Sequence, residues 1–118
     1  MNTITTILLW IVAIEHLYFL VLEMFLWTTK KGIKTFGLKS QEFAEDTKVL
    51  AANQGLYNGF LTAGILFSLW QDNVKFIIFF LICVTIAGIY GSYSTKKIKL
   101  FYVQSIPAII ALASLLLA

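Results

Sequence analysis

Four long apolar runs dominate the chain, at residues 3–27, 49–70, 76–93 and 100–118. Each holds at least 18 residues, close to the ~20 that cross a hydrocarbon core of ~30 Å as an α-helix. No other feature restricts the fold so tightly. A backbone in lipid must satisfy its own hydrogen bonds, and a helix does so without a partner. Barrel strands would need segments of ~10 residues with alternating polarity, and these runs do not alternate. The expected fold class is all-α: an integral membrane bundle of four transmembrane helices in one domain, residues 1–118. Composition agrees. The chain is 59% hydrophobic and 13% charged, against roughly 25% charged residues in an average soluble domain. A soluble chain of 118 residues has too little interior to hide so much apolar surface. The first run lacks a cationic leader and a small-residue cleavage site, and acidic residues interrupt it, so it reads as a retained helix.

The charges lie mostly between the runs. Lys30, Lys31, Lys34, Lys39 and Lys48 fall in the connection 28–48, Lys75 in 71–75, and Lys96, Lys97 and Lys99 in 94–99. Eight lysines thus occupy the first and third connections and one the second. Such asymmetry marks the cytoplasmic side, so loops 28–48 and 94–99 are expected in the cytoplasm and both termini outside, in the cell membrane. The net charge of +3 then belongs to contacts with lipid headgroups, and no nucleic-acid partner is expected. Trp27, Trp70, Tyr93 and Tyr102 stand near run ends, as interfacial anchors do. Within 28–48, Lys30, Ile33, Lys34, Phe36 and Leu38 form a short amphipathic pattern suited to the headgroup region. Ser40 is placed to cap a helix beginning near Gln41, with Glu42 in its first turn.

Against this apolar background the stretch AIEHLYFLVLEMF, residues 13–25, stands out, because it carries Glu15, His16 and Glu23. At ~1.5 Å per residue, Glu15 and His16 fall near the middle of the first helix, with Glu23 nearer its cytoplasmic end. His16 and Glu23, seven apart, share a face to within about 20°, and Glu15 points roughly 100° away. The second run begins AANQGLYNGF. Depth counting puts Asn53 and Gln54 level with Glu23, and Asn58 near His16. Tyr57, Tyr90 and Gln104 fall in the same half, whereas IIFFLICV and IIALASLLLA are nearly pure hydrocarbon. A charge at the bilayer centre costs about 2.5–3.5 kcal/mol on insertion scales, so these groups should face the bundle interior. The expectation is a polar site that opens inward, with Glu15, His16, Glu23, Asn53, Gln54, Tyr57, Asn58, Tyr90 and Gln104 as candidates for binding a ligand or a proton. Gly55, Gly59 and Ala63 form a small-residue face for close helix packing, as do Gly88 with Ser92 or Ala87 with Gly91 on the third helix. Pro107 should kink the fourth helix or free the carbonyl of Val103.

Several chemistries are set aside. One histidine and a single cysteine, Cys83, do not make a zinc site, and no metal or other cofactor is expected. Cys83 lies in an apolar run and reads as a small hydrophobe. There is no phosphate-cradling glycine loop and no G-x-S-x-G elbow.

The segments EHLYFLVLEMFLW, NQGLYNGFLTAGI, AGIYGSYS and VQSIPAIIAL, in this order, resemble the small bacterial membrane proteins grouped as "domain of unknown function 1304". The resemblance covers nearly the whole chain. It implies a four-helix bacterial membrane protein and assigns no role to any residue. Three functions fit the polar positions. The first is binding or transport of a small, partly lipophilic molecule, with proton exchange at Glu15. The second is an isomerase- or epimerase-like enzyme using Glu15, Glu23 or His16 as acid and base on a lipid-soluble substrate. The third is an accessory subunit that seals against another membrane protein. If the chain self-associates, the one-sided lysines require parallel copies.

Overall fold

Helix α1 (Thr3–Met24) fills most of the first apolar run but stops three residues short of its expected end at Trp27. Trp27 leaves the helical path because its indole Nε1 donates to Thr47 Oγ1 at 3.0 Å and its ring packs 5.0 Å from that of Phe36. The structure, a computed structural model, describes residues 1–117 and contains no strand among them.

Helix α2 (Lys30–Phe36) is the amphipathic stretch of the first connection. Thr29 caps it by accepting from Gly32 N at 3.2 Å, while its own hydroxyl donates to Leu26 O at 2.6 Å. Gly32 is buried, and a Cβ there would strike the carbonyl of Leu26. Gly37 ends the helix in the left-handed region at φ 62°, and Leu38 N closes the turn on Ile33 O at 3.0 Å, as a helix-terminating glycine allows.

Helix α3 (Gln41–Trp70) is 30 residues long, so the helix begins well before the apolar run at residue 49, near Gln41 as expected. Ser40 Oγ accepts from Phe43 N at 3.0 Å, and Glu42 occupies the first turn, as its sequence suggested. Of the four expected spans, α3 is the one that hydropathy does not support. Among the described residues, three stretches are long and apolar enough to cross a membrane: α1, helix α4 (Val74–Thr95) and the helical run Ile98–Leu116. The polar side chains Asn53, Gln54 and Asn58 keep α3 outside that group.

Asn73 starts α4 by accepting from Phe76 N at 3.2 Å, so this helix begins and ends two residues outside the expected 76–93. The last run is not uniform. A single turn, α5 (Ile98–Leu100), leads into a π-helical turn (Phe101–Ser105) and then α6 (Ile106–Leu116). Ile106 N bonds to Phe101 O, the five-residue closure of a π turn. Pro107, in the first turn of α6, brings no N–H, and the widened turn just before it absorbs the defect. Leu117 lies beyond the helix, and residue 118, the expected end of this run, lies outside the described residues.

By contacts the chain forms two units, residues 15–62, and residues 1–14 together with the chain from residue 63 onward. In the larger unit, Leu9, Val12, Ile65, Ile77, Leu81, Val84, Ala108 and Ala111 are buried. Thr5 Oγ1 and Ser114 Oγ hydrogen-bond at 2.7 Å. Gly88 admits the π turn against α4, because a Cβ there would collide with Ser105 Oγ. Ser105 Oγ donates to Thr85 O at 2.9 Å. In the smaller unit, α1 and α3 meet at two glycines. A Cβ on Gly55 would lie 2.6 Å from Met24 Cγ and 3.1 Å from Glu23 Cβ, and one on Gly59 would lie 2.7 Å from Leu20 Cδ1. The Gly55–Gly59 face is thus a packing face. Thr62, not Ala63, continues it, since Thr62 is buried and Ala63 exposed.

Candidate functional site

The close approach at Gly55 builds the site. Asn58, one turn after Gly55, points to the same side, and its Nδ2 donates to Glu23 Oε1 at 2.5 Å. Both residues are buried, with 7% of Glu23 and 6% of Asn58 exposed. A buried carboxylate in an apolar setting needs donors, and Asn58 supplies one. This pairing differs from the depth estimate, which set Asn58 beside His16. Gly55 packs against Leu20, Glu23 and Met24, which shifts α3 along α1 by about one turn relative to the count made from the run ends.

His16 is fully buried, two turns before Glu23 on the same face of α1. Its ring meets Phe19 edge-on at 5.4 Å. Glu15 is half-buried, yet its Oε1 is shielded from solvent and has no hydrogen-bond partner among the described residues. An acceptor left in this state loses its water without replacement. Within residues 15–62 the polar cluster comprises Glu23 and Asn58, with His16 buried on the same face of α1, and Glu15 points roughly 100° away from His16. Thr62, buried one turn beyond Asn58, extends the cluster, a residue missed in the sequence because threonine is common in apolar helices. Its signal was the i,i+4 spacing from Asn58.

The other candidates lie elsewhere. Asn53 and Gln54 are exposed. Tyr57 is 58% exposed, with its ring 6.1 Å from that of Phe60. The reason is angular: Asn53 lies two residues, or about 200°, from Gly55, almost opposite the packing face. Tyr90 is 67% exposed on α4, and Gln104 sits half-buried in the π turn. Both belong to the larger unit.

A helical chain with three stretches fit to cross a membrane, and with carboxylates held inside it, belongs to the class of small helical proteins compatible with a bilayer. The family model described as "Protein of unknown function (DUF1304)" matches residues 10–116, and the chain belongs to that family. It is 31% identical over 117 residues to "Uncharacterized protein YpaA" of Lactococcus lactis subsp. lactis (strain IL1403), covering 97% of this chain and 98% of that protein. No solved structure matches.

Proposed function

We propose that this is a multi-pass membrane protein that binds or transports a small, partly lipophilic molecule carrying an N–H or O–H donor. Glu15 receives that donor, one residue before His16 and about 12 Å along α1 from the Glu23–Asn58 pair. The observation that carries this reading is the shielded, unpartnered Glu15 Oε1. An intramembrane carboxylate is costly unless it serves a partner or a pathway, and this oxygen has a free acceptor position to offer. Glu15 can also exchange a proton as cargo arrives and leaves.

Helix dimensions support membrane residence for α3 despite its polar segment. From Thr47, which holds the Trp27 indole, to Trp70 the helix runs 23 residues, or about 35 Å at 1.5 Å per residue. That length matches a hydrocarbon core with a tryptophan at either border. The lysine asymmetry supports cytoplasmic loops at 28–48 and 94–99, and outward termini. The enzyme reading gains less support. Glu15 and Glu23 are eight residues apart, about 12 Å along α1, too far to flank one reacting atom as acid and base.

The test is uptake of 9-aminoacridine, a fluorescent lipophilic amine with N–H donors, into vesicles containing wild type, Glu15→Gln or Glu23→Gln protein. Wild type should take up or retain the dye above protein-free vesicles, and Glu15→Gln should reduce this about tenfold, the loss of one buried charge-assisted hydrogen bond. Equal behaviour of Glu15→Gln and wild type would contradict the role given to Glu15.

A further inference from the structure

We infer that α3 carries a second functional face, on which two copies of this chain associate in parallel through Asn53, Gln54 and Tyr57. The inference rests on the membrane placement proposed above, but not on the ligand role of Glu15. Gly55, Asn58, Gly59 and Thr62 occupy the packed side of α3, and Asn53, Tyr57 and Phe60 run along the opposite side at i, i+4 and i+7 spacing. All three are exposed, and Leu50 and Gln54 flank them. The amides of Asn53 and Gln54 make no hydrogen bond with any described residue. Asn53 lies six residues beyond Thr47, about 9 Å further into the bilayer than the Trp27 border. At that depth water no longer serves an amide, and acyl chains offer neither donor nor acceptor.

A second copy is the occupant that this chemistry fits. A carboxamide carries two donors and an acceptor, so it is its own complement. Two α3 helices related by a two-fold axis bring Asn53 to Asn53 of the partner and pair both amides at once, an isologous contact. Asparagine and glutamine drive helix association in membranes in this way. The eight-to-one lysine distribution inserts each copy in one orientation, which is what a parallel α3 pair requires. The rest of the stripe, Leu50, Tyr57 and Phe60, supplies apolar and aromatic area around the amides.

The test uses full-length protein extracted with its native lipid. Membranes are first washed with alkaline carbonate, and the protein's mass is then measured in lipid nanodiscs. The expected result is retention in the membrane and a dimer mass, with the double variant Asn53→Leu, Gln54→Leu shifted to monomer by a fall in association of about tenfold or more. Both substituted positions are exposed, so the variant should keep wild-type helix content. In a Cys83→Ser background, Phe60→Cys should form a disulfide dimer on oxidation and Phe79→Cys, exposed on α4, should not. Retention with a monomeric wild type, an unchanged dimer in the double variant, or a complex with a different protein would overturn the α3 pairing. Release by carbonate would overturn it through the membrane placement.

Discussion

Glu23 and Asn58 show how one polar pair is kept in an apolar helix pair. The hydrogen bond from Asn58 Nδ2 gives the carboxylate a donor, and the absent Cβ at Gly55 lets the two backbones come close enough for it to form. Replacing Asn58 with Leu removes the donor and leaves Glu23 buried alone, so stability should fall by about 1–3 kcal/mol. Glu23→Gln keeps a carbonyl acceptor at the same place and should cost less than Asn58→Leu. Denaturation of the purified variants in mild detergent would rank them, and the reverse order would refute this account of the pair. Gly55→Val forces a branched side chain into the Met24 and Glu23 contact, and a loss of about 1–3 kcal/mol is expected in the same assay.

The elements differ in how far the sequence announces them. Length and hydropathy locate α1, α4 and the run Ile98–Leu116, and the Ser40 cap locates the start of α3. The π turn is not legible. Pro107 announces a defect, but whether a kink or a widened turn absorbs it depends on the packing of Ser105 on Gly88 and Thr85, which arises only when α4 and the last run meet. The candidate site divides in the same way. Counting residues set Asn53 level with Glu23, whereas Asn58 is the residue that meets it, because a count from the run ends fixes neither the register of two helices nor which side faces a neighbour. The angle was nonetheless available from Gly55 and Gly59: their face includes Asn58, and Asn53 lies about 200° from it. Two α4 glycines offer a check on packing. Gly88→Ala pushes a methyl into Ser105 and should destabilise by about 1–3 kcal/mol. At Gly91 a Cβ would meet only Leu100 Cδ1 at 3.9 Å, so Gly91→Ala should be neutral or slightly stabilising through better helix propensity. Thermal unfolding followed by circular dichroism separates the two, and equal losses would refute the close approach of the π turn.

For the whole molecule, charge and polarity have separate roles. On the proposed reading, lysines outside the apolar runs set orientation and the carboxylates inside them serve a ligand. Reporter fusions or cysteine labelling in intact cells should find loops 28–48 and 94–99 on the cytoplasmic face and 71–75 outside, and the opposite pattern would contradict the lysine argument. The central claim concerns Glu15, whose shielded oxygen lacks a partner among the described residues and is proposed to accept from a ligand donor. Infrared difference spectroscopy on protein in lipid bilayers, before and after addition of 9-aminoacridine, reads the carboxyl groups directly. The account predicts a change in a carboxyl band that is present in wild type and in Glu23→Gln and missing in Glu15→Gln. A spectrum with no carboxyl change, or one that survives Glu15→Gln, would contradict it.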